Sequence, residues 1–146
     1  MSMHSVTRSN VTLNTANDVL TFIAAASRKI KIHEISIGGM GTTSAANELV
    51  VQRSTGGATG GGAITPESID PDSLADAVTV VNTTWGTQPT LSGTPILRPS
   101  VNANGGVYRW VAKPGQEIVV RNSGQLSVRP AVGSSPVSIH VVYELC

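Results

Sequence analysis

Three aspartates stand close together near the middle of the chain, at a spacing that could hold a cation. They are Asp70, Asp72 and Asp76, in the stretch DPDSLAD. Calcium favours several carboxylate oxygens from one loop, but an EF-hand loop also needs a central glycine and a closing glutamate, which this stretch lacks. Pro71 stiffens the segment further. We therefore interpret these carboxylates as turn and cap residues and predict no metal site.

The three histidines are the other side chains that could perform acid–base or metal chemistry. His33 is followed by Glu34, and an imidazole beside a carboxylate can act as an acid–base pair. His4 and His140 stand alone in the sequence, and no metal-ligand spacing joins them to His33. A site built from His33 and His140 would require their strands to be neighbours, which the sequence does not decide. We interpret the histidines as surface or interface residues.

Nucleophile and phosphate-binding motifs are absent from the sequence. The chain contains no G-x-S-x-G, the motif that places a serine nucleophile on a strained turn. Residues 54–63 hold five glycines, but no G-K-[ST] ends the run and no helix pattern follows it directly. We predict that the chain is not an enzyme, needs no cofactor, and carries a long glycine-rich surface loop over about residues 54–66.

Arginine and tryptophan, the types enriched at protein interfaces, are the more informative residues. Seven of the ten basic residues are arginines, and four of these lie in the last third of the chain. They serve either subunit contacts or the solubility of a sheet surface. Trp110 alternates as a core residue would, whereas Trp85 lies in a turn-rich stretch and either caps the fold or anchors a partner. The candidate interface residues are Arg98, Arg109, Arg121, Trp85, Trp110 and His33.

The elements that must position these side chains are predicted to be β-strands. Isoleucines alternate along residues 29–37, but their phase slips between Ile32 and Ile35, which indicates a β-bulge at His33–Glu34. The Pro-Gly turn at residues 113–116 predicts a hairpin over residues 107–122, and a second hairpin is expected over residues 5–25. One short helical turn is expected near residues 72–77. The predicted strands cover residues 5–13, 18–25, 29–37, 47–53, 78–84, 94–98, 107–112, 117–122, 125–129 and 137–145.

This order of elements predicts an all-β fold. Eight to ten strands with turn signals between them are typical of an antiparallel two-sheet sandwich, here of jelly-roll type. We expect an N-terminal arm over residues 1–12 and a single sandwich domain over residues 13–146. Nothing in the composition shifts along the chain in a way that would indicate a second core.

Composition and charge exclude several classes of protein. Charged residues make up 13% of the 146, the net charge is +1 and aromatic residues are 3%. A nucleic-acid footprint and a polybasic membrane anchor both need clustered basic charge, which is absent. No apolar run approaches the roughly 18 residues of a membrane span, and the N-terminus does not read as a signal peptide. The single cysteine, Cys146, suits synthesis in a reducing cytoplasm.

One stretch resembles a known class of proteins. Residues 102–120, NANGGVYRWVAKPGQEIVV, are similar to small tailed-phage virion proteins of jelly-roll type, with an Asn/Gly turn, an aromatic-Arg-Trp strand, a Pro-Gly turn and an E-I-V-V strand. The T-P-x-x-I-D-P stretch at residues 65–71 and the terminal V-x-Y-E are similar too. The resemblance covers about the last two thirds of the chain and, more loosely, its beginning.

The resemblance implies a capsid decoration (cement) protein that binds the major capsid protein as a homotrimer on the virion surface. Such a role fits a low-charge chain that hides surface in an assembly, with the N-terminal arm lying on a neighbour. Two alternatives stay open. A receptor- or glycan-binding head of a tail or fibre would expose aromatic residues on its loop tips. A metal-dependent enzyme of the cupin kind would cluster histidines inside the barrel.

Overall fold

The computed structural model describes residues 2–58 and 61–146. Within these ranges the chain forms β-strands, turns and irregular segments, and no helix is present that is long and apolar enough to cross a membrane. The helical turn expected near residues 72–77 is instead a hydrogen-bonded turn followed by irregular chain. The strands are β1 (Ser2–Thr12), β2 (Leu20–Ile23), β3 (Ile30–Met40), β4 (Ala46–Thr55), β5 (Ala63–Ile64), β6 (Glu67–Ser68), β7 (Val80–Asn82), β8 (Thr90–Leu91), β9 (Ser100–Asn102), β10 (Asn104–Val111), β11 (Ile118–Val120), β12 (Gln125–Val132) and β13 (Pro136–Leu145).

The strands form two antiparallel sheets that pack face to face. The first sheet has the order β10-β3-β13-β1-β6, and β11 also pairs with β3. The second has the order β5-β7-β2-β12-β4-β8, and β9 also pairs with β4. The predicted all-β sandwich is therefore confirmed.

The principal strands pair in a nested order. The first strand, β1, pairs with the last, β13; β2 pairs with β12; β3 pairs with β10 and β11; and β4 pairs with β9. Successive pairs fall alternately in the first and the second sheet. This arrangement is that of a jelly roll. It also brings the two ends of the chain together, since the first strand must pair with the last.

The core lies between the sheets and follows the alternation of the strands. Val137, Ile139, Val141, Tyr143 and Leu145 of β13 point inward, as the sequence pattern predicts. The two largest fully buried side chains, Phe22 and Tyr143, lie edge to face with their ring centroids 6.0 Å apart. Other fully buried side chains are Leu20, Ile30, Ile32, Ile35, Ile37, Leu49 and Leu126.

Two predictions for the N-terminal part of the chain are wrong. The predicted N-terminal arm over residues 1–12 is, for the residues described, strand β1, which pairs with β13 along almost its whole length. A strand with buried side chains at His4 and Val6 gains more from completing the sheet than from remaining free. The hairpin expected over residues 5–25 does not form either, because β1 and β2 belong to different sheets.

The predicted bulge is confirmed, but the hairpin over residues 107–122 is not. The register of β13 on β3 shifts at His33, between the pairs Val142–Glu34 and Tyr143–Ile32. Both β10 and β11 pair with β3, so they are two halves of one strand rather than partners. The Pro-Gly turn does form, with Gly115 at φ 81° and a Gln116 N–H bond to Lys113 O, as an excursion opposite the bulge. A turn motif in the sequence does not distinguish a loop that interrupts one strand from a turn that joins two paired strands.

Candidate docking surface

The outer faces of the two sheets differ in what covers them. Residues 83–89, the covering segment, run across the second sheet from β7 to β8. Residues 90–99 then follow the edge of the sheet along β4. Gln52 of β4 donates from Nε2 to Gly93 O at 2.8 Å, and Arg129 of β12 donates to Pro89 O at 2.7 Å. Polar side chains on this outer face are therefore buried, among them Thr21, Gln52, Ser54 and Ser127.

A buried polar network holds this covering segment in place. Both carboxylate oxygens of Asp18 are bonded: Oδ1 accepts from Arg129 Nε, and Oδ2 accepts from Thr21 and Ser127 hydroxyls, each at 2.6 Å. The Asp18 side chain is fully buried and that of Arg129 is 15% exposed. Trp85 donates from its indole nitrogen to Thr21 Oγ1 at 2.9 Å, which attaches the covering segment to the same network. The sequence analysis did not single out this network.

The outer face of the first sheet has no such cover among the described residues, and we call it the open face. Its side chains alternate with the core residues of β1, β3, β10 and β13 and lie side by side in the strand registers. Val107 is 79% exposed and Val111 is 52% exposed at one edge of the sheet. The open face consists of Ser5, Thr7, His33, Glu34, Ser36, Val107, Arg109, Val111, His140, Val142 and Glu144.

One ion pair and one contact between a histidine and a carboxylate cross the open face between neighbouring strands. Arg109 Nε donates to Glu34 Oε1 at 2.6 Å, and His33 Nε2 lies 3.0 Å from Glu144 Oε2. The hydrogen bond from Arg109 holds the pKa of Glu34 below its usual range, and Ser36 adds a second hydrogen bond to the same carboxylate. These contacts fix the charged side chains between the exposed valines, so the face presents an ordered pattern of apolar and charged groups.

The structure places His33 and His140 on neighbouring strands of the open face and His4 inside the sandwich. His33 lies at the bulge as predicted, but its ring bonds Glu144 rather than the adjacent Glu34. His140 lies on the neighbouring strand and on the same open face, with its Nδ1 3.2 Å from Thr7 Oγ1. His4 is inside the sandwich, with its Nε2 2.8 Å from Ser2 Oγ. Two histidines therefore face outward and one faces the core.

The remaining predicted interface residues are dispersed. Trp110 packs against the core from β10, and Arg98 bonds Glu48 of β4 at 2.6 Å. Arg121 lies at the turn between β11 and β12. Trp85 is half-buried, and a Cβ on Gly57 would meet its ring at 2.6 Å, so position 57 must stay a glycine. Of the six candidates, the structure brings together only Arg109 and His33.

The aspartates of residues 70–76 serve turns and a buried cluster. Asp70 Oδ1 accepts from Asp72 N, as a turn residue does. Asp76 is buried; its Oδ1 accepts the backbone N–H groups of residues 78 and 79, and its Oδ2 accepts from Tyr143 OH at 2.6 Å. Burial by itself would raise the pKa of Asp76, but hydrogen bonds from Thr79, from Tyr143 and from the backbone of residue 78 outweigh it and lower the pKa. Within the described part of the chain, no three His, Cys, Asp or Glu residues are placed to hold a metal ion.

Comparison of the chain with protein-family models, curated protein sequences and solved structures gives no match.

Proposed function

We propose that this chain is a structural virion protein that binds the outside of a phage capsid and stabilises contacts between major capsid subunits as a homotrimer. The observation that supports the proposal is the asymmetry of the sandwich: one sheet is covered by the chain itself, and the open face is not. The resemblance of residues 102–120 to jelly-roll virion proteins points the same way. The protein would be made in the host cytoplasm and act on the capsid surface without a cofactor.

The open face has the chemistry of a partner surface. Exposed valines at one edge can be buried against apolar groups, at about 25 cal/mol per Å² before entropic costs. The contacts Arg109–Glu34 and His33–Glu144 are already formed, so these side chains do not have to be ordered on binding. Because a capsid repeats the same contact many times, a small gain at each site becomes a large gain for the shell.

Docking through a sheet face replaces the arm mechanism that the sequence analysis expected. Residues 2–12 are already paired with β13, so they are part of the sheet and not a free arm that could reach over a neighbour. The sandwich would therefore sit on the capsid as a rigid body, with the open face towards the major capsid protein. Neither nucleic acid nor membrane is a partner in this proposal, since the chain has a net charge of only +1.

The two alternative functions gain less support. A glycan-binding head would need an aromatic residue free at a loop tip, whereas Trp85 is half-buried and bonded to Thr21. A cupin-like enzyme would need its histidines together inside the barrel, whereas His33 and His140 lie on the open face and only His4 faces the core.

We expect the free protein to be a trimer in solution. Light scattering in the presence of a reductant, which prevents Cys146 cross-links, should give a native mass near three times the 15.1 kDa of one chain. A mass of one chain over a wide concentration range would contradict the trimer, although not the docking surface itself.

The proposed function is tested directly by mixing the purified protein with phage capsids assembled without it. We expect saturable co-sedimentation and a capsid that resists a higher temperature than the bare shell. Absence of binding to these capsids would contradict the proposed function.

A further inference from the structure

A pocket of about 580 Å³ lies at the edge of the sandwich, where the end of β4 approaches β11 and the turn into β12. Arg53 and Arg121 both line it, together with the hydroxyl-bearing residues Thr55, Ser92 and Ser123. Among the residues that the structure describes, none of those lining the pocket is acidic. It shares no residue with the open face, so it is a separate feature of the molecule.

The two arginines of the pocket differ from the paired arginines elsewhere. Arg98, Arg109 and Arg129 each bond a carboxylate of this chain. Within the described residues, Arg53 and Arg121 form no ion pair. Two arginines that line one pocket and have no carboxylate partner leave their positive charge available to an anion.

The pocket is also held in shape before any ligand arrives. Arg53 Nη1 donates to Val119 O at 2.8 Å, which fixes one side of the guanidinium and leaves its other N–H groups for a ligand. The opposite wall is a tight turn in which Gly124 N donates to Arg121 O at 2.8 Å and Ser123 takes a positive φ of 57°. Ser123 N is bonded to Ala25 O, so the turn is tied to the chain that follows β2.

We propose that this pocket binds an oxyanionic group, a carboxylate or a phosphate, through Arg53 and Arg121. Guanidinium groups form charge-assisted, often bidentate hydrogen bonds with both kinds of anion. The hydroxyl groups of Thr55, Ser92 and Ser123 add neutral donors around the charge. The volume exceeds that of a lone ion and admits a ligand of monosaccharide size that carries the anion. The inference does not depend on the proposed capsid role.

The test is a titration of the full chain with inorganic phosphate, glucuronate and glucose at constant ionic strength, followed by amide NMR. The signals of Gly56 and Gly124, which line the pocket, should shift saturably with at least one of the two anions and not with glucose. The anion that binds more tightly shows whether the pocket prefers a phosphate or a carboxylate. Arg53→Gln and Arg121→Gln should each weaken binding by about tenfold or more, the value of one charge-assisted hydrogen bond.

The matched control is Arg98→Gln, which removes the same charge from a position outside the pocket. It should bind the anion as the original protein does. The proposal is overturned if neither anion gives saturable shifts, if the pocket variants bind unchanged, or if the control loses as much affinity as they do. Unchanged spectra of the variants away from the pocket show that a loss of binding is not a loss of fold.

Discussion

Asp18→Asn is expected to lower the free energy of unfolding by about 3–5 kcal/mol, the cost of breaking a buried ion pair from one side. The Asp18 carboxylate is fully buried and bonded by Arg129, Thr21 and Ser127. A neutral asparagine leaves the guanidinium of Arg129 without its counter-charge. The hydroxyl groups of Thr21 and Ser127, which donate to Asp18 Oδ2, would also face an amide that has only one accepting oxygen. The covering segment over residues 83–89 loses part of its anchor at the same time.

Urea denaturation at neutral pH measures this cost, and Glu48→Gln is the matched control. Glu48 pairs with Arg98 at the surface, where the arginine side chain is 58% exposed, and such pairs contribute about 0–1 kcal/mol. We expect the Asp18 variant to lose several times more stability than the control. Equal losses would show that the network around Asp18 does not hold the cover on the second sheet.

Tyr143→Phe is the second large effect, with an expected loss of about 1.5–3 kcal/mol at pH 7, the range for a hydrogen bond to a charged group. The Tyr143 hydroxyl donates to the buried carboxylate of Asp76 at 2.6 Å. Burial, and then the neighbouring Asp76, raise the pKa of Tyr143, so the hydroxyl keeps its proton and remains a donor at any ordinary pH. Without it, Asp76 keeps its backbone partners but loses the hydrogen bond at Oδ2.

The effect should depend on pH in a definite direction. Because the folded pKa of Asp76 is lowered, its contribution to stability is present above the unfolded pKa of about 4 and is lost as pH falls through the folded pKa. As pH is lowered, the free energy of unfolding of Tyr143→Phe should therefore fall less steeply than that of the original protein. The difference between the two proteins should shrink below about pH 4. Unfolding curves at pH 7, 5 and 3 measure this, with Tyr108→Phe on β10 as a control that should show no such trend.

Local patterns predicted the strands well because burial on one face leaves a period of two in the sequence. The isoleucines of β3 show this most clearly, since the slip in their phase located the bulge at His33 before any pairing was known. The alternation of β13 likewise gave the inward and outward residues correctly. These predictions depend only on neighbours along the chain.

Pairing could not be predicted in the same way, because a jelly roll joins strands from opposite ends of the sequence. The expected hairpins failed for this reason: β1 pairs with β13, and β10 and β11 both pair with β3. A turn at residues 113–116 is compatible with either topology, and only contacts with β3 distinguish them. The failure of the arm prediction has the same origin, since the partner of β1 is the last strand.

The site was predicted only in part. His33 and Arg109 were singled out and do lie together on the open face, but Arg53 and Asp18 were not. Asp18 precedes a strand as many turn residues do, and its role depends on Arg129, which lies far along the chain. A signal was present in the alternation of Ser127 and Arg129 with Leu126 and Val128, which placed two polar side chains on one outer face. The segment that covers this face could not be predicted, because its contacts join residues that are far apart in the sequence.

The central claim, that the open face binds the capsid, is tested most directly by comparing face variants on capsids assembled without this protein. The double variant Val107→Asp/Val111→Asp puts two carboxylates at the most exposed edge of the open face. Losing the burial of two valines should weaken binding by about 100-fold or more. Val132→Asp, at a valine that is 49% exposed and outside the open face, should bind as the original protein does. Capsid binding by the double variant at the original affinity would contradict the claim.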